Sequence, residues 1–142
     1  MKKVAVIGIV GNSVFLPVEK FHVGGETVEA SDVHFEPGGK GFNQAVAAAR
    51  YGADVSFFAA VGAGDCQSIQ AFLDKEGIDS VLVKKNTPTA FAAIITDASG
   101  SNRVTVYQGA QLDTADIALF EDKIKTADVL LLTNETAEEI ND

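Results

Sequence analysis

With one cysteine and two histidines, the sequence is poor in the residues that form disulfides and bind metals. The single cysteine, Cys66, has no partner for an internal disulfide. Tryptophan is also absent, and proline occurs three times. This composition is typical of a reducing compartment, and we expect a cytoplasmic protein. Because His22 and His34 have no cysteine or histidine nearby at ligand spacing, we predict no metal site.

Long apolar runs and positive charge are also scarce. No apolar run approaches the roughly 18 residues that a membrane span requires. The apolar run 4–10 contains Gly8 and lacks a small-residue cleavage site close behind it, which predicts a strand and not a signal peptide. Eleven basic residues against twenty acidic ones give a net charge of −9, with no basic run to meet a phosphate backbone. We therefore expect neither nucleic acid nor a membrane as a partner.

The pattern along the chain predicts an α/β fold. A chain of 142 residues, 46% of them apolar, can bury one core. Strands are predicted at 4–10, 55–61, 81–84 and 128–132. Helices are predicted at 43–51, 68–76 and 113–125, and the capping-box spacing of Thr136 and Glu139 predicts one more. This alternation favours a Rossmann-like, mainly parallel sheet with flanking helices.

Two segments depart from this alternation. Residues 14–35 consist of short half-apolar pieces around Gly24-Gly25, after Gly11-Asn12-Ser13, which we expect to break the first strand. Residues 89–107 contain two apolar runs around a turn-prone stretch at 97–102, which predicts a hairpin. We expect both segments to form one small sheet that projects from the core with one face in water.

The strongest functional signal is the glycine-rich run at 36–50, EPGGKGFNQAVAAAR, which opens the first helix. Free backbone N–H groups and the positive end of the helix dipole favour a hydroxylated or anionic ligand there. Gly38 and Gly39 let the backbone approach such a ligand, Lys40 adds a charged donor, and the Asn43 amide can both donate to and accept from sugar hydroxyls. A bare glycine-rich turn could equally serve only to connect a strand to a helix.

Residues 38–45 resemble, without a gap, the Gly-Gly-Lys-Gly-x-Asn-Gln-Ala motif of the ribokinase-like, or PfkB, carbohydrate kinases. The opening strand, Gly25-Glu26-Thr27, the hairpin and the strand at 128–132 follow in the family's order, so the resemblance covers essentially the whole chain. It implies that the projecting sheet is a lid over a sugar site. The substrate-binding residues that it implies are Gly11, Asn12, Ser13, Gly38, Gly39, Lys40, Asn43, Ala92, Ile94 and Glu135.

The sequence departs from the family pattern in two ways. Ribokinases carry an Asn-x-Asp pair after the first strand, whereas Ser13 stands at the Asp position here, which speaks against ribose as the substrate. Family kinases are also about twice this length, and their ATP site and catalytic base lie in the half that we expect to be absent. We therefore predict no catalytic residue in this chain, with ATP and Mg²⁺ used only by the complete kinase.

Two local motifs imitate family sites. Gly62-Ala63-Gly64-Asp65 spells the catalytic Gly-Ala-Gly-Asp, but it follows the second core strand instead of a late Asp-Thr pair, so we do not assign Asp65 as the base. Asn134 begins an Asn-x-x-Glu-like stretch whose fourth residue is Ala137, so we assign it no magnesium role.

The resemblance implies that the complete protein phosphorylates a hydroxyl of a sugar or nucleoside with ATP, and that this chain supplies the sugar-binding half. The alternative is a non-catalytic sugar-binding or dimerisation fragment. Relatives of this kind often pair lid against lid, and open strand edges with exposed apolar surface favour association. We therefore expect a homodimer.

Overall fold

A computed structural model describes residues 1–136, which form two four-stranded sheets with flanking helices. The strands are β1 (Lys3–Ile7), β2 (Gly11–Pro17), β3 (His34–Gly38), β4 (Asp54–Gly62), β5 (Asp79–Lys85), β6 (Ala90–Thr96), β7 (Asn102–Tyr107) and β8 (Val129–Leu132). The helices are α1 (Lys40–Arg50), α2 (Cys66–Lys75), a 3-10 helix (Thr114–Leu119) and α3 (Glu121–Thr126).

The core sheet is parallel, with the strand order β5-β4-β1-β8. The central strands β1 and β4 are mainly apolar because helices cover both of their faces, whereas the edge strand β8 is partly exposed. Successive residues of β4 show this: Phe57 packs in the cluster that contains Ile69 of α2, whereas Phe58 packs on the opposite side against Phe120. The predicted α/β class with a parallel sheet is confirmed.

The helices α1 and α2 lie on the same face of the core sheet. Phe42 in α1 and Leu73 in α2 are both buried in one cluster with Phe57. The two helices also join at their ends, where the Arg50 guanidinium donates to both carboxylate oxygens of Glu76, at 2.8 and 2.7 Å. This ion pair lies at the C-terminal end of α1, and the N-terminus of the helix lies at the opposite end, next to β3 of the second sheet.

The second sheet, called the lid sheet below, has the order β3-β2-β6-β7. Strands β2 and β6 pair in parallel, and β3 and β7 pair antiparallel on either side of them. The expectation that two distant segments form one small sheet, including the hairpin of β6 and β7, is therefore confirmed. Residues in register across the strands share a face, so Phe15, Ile94 and Val104 lie on the same side.

The predicted break at Gly11-Asn12-Ser13 is wrong, because these residues begin β2. The first strand instead ends at Ile7, and the lid sheet starts three residues before the predicted position 14. Gly11 pairs with Gly38 on one side and Ala90 on the other. A Cβ on Gly11 would lie 2.6 Å from the Ala90 carbonyl oxygen, so a glycine that resembles a turn signal is here a requirement of strand packing.

The predicted helix at 113–125 is divided at Phe120. The Phe120 side chain is 1% exposed and stacks on Phe58 with ring centroids 4.3 Å apart. The backbone φ of Phe120, −135°, ends the 3-10 helix before α3 begins.

Asp113 and Asp116 form a capping box at the start of the 3-10 helix. Both carboxylates also accept from the Lys85 ammonium, and the hydrogen bonds to Asp113 and then Asp116 raise the pKa of Lys85.

The predicted helix with Thr136 and Glu139 at its start extends outside the described residues. Within 1–136, none of the helices has the length and apolar character needed to cross a membrane.

Candidate functional site

A cavity of about 450 Å³ lies between the lid sheet and the N-terminus of α1. Eight of the residues predicted to bind substrate line it: Gly11, Asn12, Ser13, Gly38, Gly39, Lys40, Ala92 and Glu135. The parallel strands β1 and β8 both run toward this edge of the core sheet. The carboxyl ends of parallel strands are the usual place for a ligand in an open α/β sheet.

The N-terminus of α1 holds the Glu135 carboxylate. The Lys40 N–H donates to Oε1 at 3.4 Å, and the Gly41 N–H donates to Oε2 at 3.2 Å. The Thr133 hydroxyl also donates to Oε2, at 3.1 Å. The backbone donors that the sequence predicted for a ligand are therefore directed at the Glu135 side chain.

Close backbone contact between the segment after β1 and α1 makes this arrangement possible. Gly39, the residue before α1, has φ 116°, and a Cβ there would lie 2.3 Å from the Ile9 carbonyl oxygen. A Cβ on Gly8 would lie 2.7 Å from the Gly41 Cα and 2.8 Å from the Thr133 hydroxyl. The glycines thus bring the start of the lid, α1 and Thr133 to one point.

Ser13 sits at the base of the lid, 8% exposed, between Glu36 of β3 and Ala92 of β6. Its hydroxyl oxygen lies 3.1 Å from the place where a Cβ on Gly38 would stand. Of the described residues that line the cavity, Glu135 provides the carboxylate and Lys40 the ammonium, and Ser13 contributes a neutral hydroxyl.

Two predicted residues are not brought to the cavity. Asn43 is exposed one turn further along α1, and it lines a different groove with Glu36 and Pro37. Ile94 shares a face of β6 with Ala92 but lies two residues further out along the lid sheet, and it does not line the cavity.

Asp65, to which we assign no catalytic role from the sequence, precedes α2 and is also absent from the cavity lining. The geometry therefore gives it no contact with a ligand bound there.

Gln108 and Asn134 line the cavity although the motif did not predict them. Gln108 directly follows β7, and Asn134 follows β8 after one intervening residue. The signal that could have found Asn134 is its position after a core strand, since residues that follow parallel strands meet at the ligand-binding edge. Gln108 could be found only once the lid was known to fold back over that edge.

Comparison with known proteins finds related sequences and related folds. The family model described as pfkB family carbohydrate kinase matches residues 1–141. The chain is 35% identical to the ribokinase of Bacillus subtilis, an alignment that covers 100% of this chain and 50% of that protein. The structure of the Thermotoga maritima ribokinase superposes with a TM-score of 0.84 at 30% identity, over 99% of this chain and 48% of that one.

A second solved structure contains a nucleotide. The ribokinase of Cryptococcus neoformans, in complex with ADP, superposes with a TM-score of 0.83 at 27% identity, over 99% of this chain and 43% of that one. The chain thus spans about half the length of the relatives that it matches.

Proposed function

Because the chain belongs to the pfkB family of carbohydrate kinases, we propose that it supplies the sugar-binding half of an enzyme that phosphorylates a hydroxyl of a sugar or nucleoside with ATP. The observation that carries the proposal is the Glu135 carboxylate, which the α1 N–H groups hold at the wall of a cavity covered by the lid sheet. A fixed carboxylate with remaining lone pairs accepts hydrogen bonds from hydroxyl groups.

The charges around the cavity favour a neutral ligand. Glu135 already occupies the helix N-terminus, which would otherwise attract an anion. Lys40 can donate to a sugar oxygen, and Asn12 and Ser13 add groups that both donate and accept. The site therefore suits an unphosphorylated sugar or nucleoside better than a sugar phosphate, whose charge would meet the Glu135 carboxylate.

The described residues do not fit a nucleoside triphosphate. Lys40 is the cationic side chain among the described residues that line the cavity, and the N–H groups of α1 are directed at Glu135. Within residues 1–136 no group of three or more acidic, histidine or cysteine side chains is placed to hold a metal ion. The nucleotide site, Mg²⁺ and the catalytic base would come from protein outside this chain, and no step of phosphoryl transfer is assigned to its residues.

The alternative, a non-catalytic sugar-binding or dimerisation unit, is supported by the lid. Val104 and Val106 are 49% and 55% exposed on the lid face that carries Phe15 and Ile94. This apolar face continues directly from the cavity wall, because Val106 itself lines the cavity. A second copy of the chain would cover it, and we include a lid-to-lid homodimer in the proposal.

The experiment combines a binding titration with an activity assay on the same preparation. Isothermal titration of the 142-residue chain with ribose, fructose and nucleosides should detect binding, whereas sugar-dependent ATP consumption should be absent. Phosphoryl transfer by the chain alone would contradict the proposal that the nucleotide site and the catalytic base lie outside this chain. Failure to bind any sugar or nucleoside would remove the sugar site itself.

A further inference from the structure

Asn134 has an unusual backbone conformation at the edge of the candidate site. Among residues 1–136, Asn134 is the one residue other than glycine with a positive φ, which is 54°. L-amino acids adopt this left-handed region infrequently, and asparagine tolerates it better than most. Non-glycine residues in such conformations concentrate at functional sites, so an outlier on a cavity wall calls for a test of function.

The side chain of Asn134 is available to a ligand. It lines the cavity and is exposed, and no hydrogen bond joins it to another residue in the part of the chain that the structure describes. Its neighbours differ in this respect, because Thr133 and Glu135 bond to each other and Glu135 bonds to the start of α1. These hydrogen bonds hold the residues on both sides of Asn134, while its own amide has no hydrogen-bond partner among residues 1–136.

We propose that Asn134 is a specificity-determining residue that hydrogen-bonds a hydroxyl group of the bound sugar, an inference that rests on the sugar-binding function proposed above. Ionised Glu135 can only accept and Lys40 can only donate, whereas an amide donates and accepts from one planar group. Asn134 can therefore serve a hydroxyl that donates one hydrogen bond and accepts another. A site built to hydrogen-bond a hydroxyl discriminates strongly against an analogue that lacks it, because the polar group of the site is then left unpaired.

The competing explanation is that asparagine is present only because the turn after β8 needs a left-handed residue. Asn134→Gly separates the two explanations, since glycine adopts this conformation without strain but carries no amide. Asn134→Asp is a second variant that keeps the shape of the side chain and removes its donor. Asn86→Gly is the matched control, because Asn86 is an exposed asparagine just after core strand β5 that does not line the cavity.

The test titrates the 142-residue chain with the sugar that binds best and with its monodeoxy analogues. We expect Asn134→Gly to weaken binding of the parent sugar by about tenfold, the loss of one or two net hydrogen bonds. One deoxy analogue should bind the variant and the wild type equally, because it lacks the hydroxyl in question. Asn134→Asp should also bind the parent sugar more weakly, and Asn86→Gly should match the wild type. The thermal midpoint of Asn134→Gly should equal or exceed that of the wild type.

Two results would overturn the inference alone. One is a wild-type affinity for the parent sugar in Asn134→Gly, and the other is a loss of affinity that is the same for the parent and for every deoxy analogue. In both results the wild-type chain still binds sugar, so the proposed function stands. If the wild-type chain binds no sugar, the proposed function fails and this inference fails with it.

Discussion

Gly39 occupies a backbone position that other residues reach only with strain. Its φ of 116° lies outside the left-handed region that asparagine tolerates, and an added Cβ would stand 2.3 Å from the Ile9 carbonyl oxygen. Gly39→Ala should therefore lower the free energy of unfolding by roughly 1–3 kcal/mol because the backbone becomes strained. The clash with the Ile9 carbonyl oxygen should lower it further. Urea denaturation measures the change.

Gly64→Ala is the control for this experiment. Gly64 follows β4 in the turn before α2, has no atom within 4 Å of an added Cβ, and has no positive φ. Its substitution should change stability by less than about 0.5 kcal/mol. Equal stability of the two variants would show that the start of α1 tolerates a side chain at position 39.

In the proposed sugar site, Glu135 is the carboxylate acceptor. Glu135→Gln keeps the size of the side chain but removes its charge and places an NH₂ group where one of the acceptor oxygens stands. We expect sugar affinity to fall by roughly tenfold or more, because a charge-assisted hydrogen bond contributes about 1.5–3 kcal/mol. Glu121→Gln is the control, since Glu121 pairs with Lys125 on α3 and does not line the cavity. An unchanged affinity in Glu135→Gln would separate the carboxylate from ligand binding.

At the residue scale, the sequence predicted eight residues that the structure brings to one cavity, but not the full lining of that cavity. The glycine motif fixes where α1 begins, and pairing between the lid strands brings Gly11, Ser13 and Ala92 to the same place. Ile94 was included because periodicity gives the face of a strand but not the distance along it, and Asn43 because it belongs to the glycine motif; neither lines the cavity. Asn134 was assigned no role because the fourth residue of its stretch is Ala137, although its position after β8 indicates the ligand-binding edge of the sheet.

At the scale of helices, the Arg50–Glu76 pair joins the C-terminal ends of α1 and α2. The Arg50 guanidinium donates two hydrogen bonds to the Glu76 carboxylate, of 2.8 and 2.7 Å, and the Glu76 side chain is 15% exposed. The hydrogen bond from Arg50 lowers the pKa of Glu76 below its ordinary value, so the pair stabilises the fold above the ordinary glutamate pKa, and this stabilisation is lost as the pH falls through the depressed folded-state value.

Glu76→Gln should therefore lower the thermal midpoint at neutral pH and lose this effect as the solution is acidified. The measurement is thermal unfolding of both proteins from pH 7 to pH 3. Ser68→Ala on α2 is the control, because the Ser68 hydroxyl donates to the Asp65 backbone carbonyl oxygen, which does not titrate, so its effect should not follow the same pH dependence. A midpoint difference between wild type and Glu76→Gln that is constant with pH would show that the ion pair does not contribute to stability.

The sequence predicted the regular elements well and their interruptions poorly. Strands β4 and β6 follow directly from their apolar runs, and α1 follows from alanine and the terminal Gly52. The break at Phe120 could not be predicted, because it depends on the stacking of that ring against Phe58, some sixty residues earlier in the chain. The same holds for Gly11, whose role appears only when both neighbouring strands are in place.

At the scale of the whole molecule, the lid sheet presents an apolar face that residues 1–136 leave partly exposed. Phe15, Ile94 and Val104 are in register across three strands, and Val106 extends the same face to the cavity. Exposed patches of this kind mark association surfaces.

The core sheet has a second candidate surface in β8, where Val129, Leu130 and Leu132 are 43%, 42% and 40% exposed. The lid predicts a defined dimer, whereas association through the exposed strand β8 predicts assemblies that grow with concentration.

Charged substitutions on β7 distinguish these two modes of association. Val104→Asp combined with Val106→Asp places two carboxylates on the apolar face, and we expect light scattering to report a monomer where the wild-type chain is a dimer. Thr105→Asp is the matched control, because Thr105 lies between the two valines but points to the opposite face, where it pairs with Ala93. If the chain dimerises through the lid, Thr105→Asp stays dimeric. A wild-type chain that is monomeric at high micromolar concentration would refute the dimer, and a mass that rises steadily with concentration in all three proteins would assign association to β8 instead of the lid.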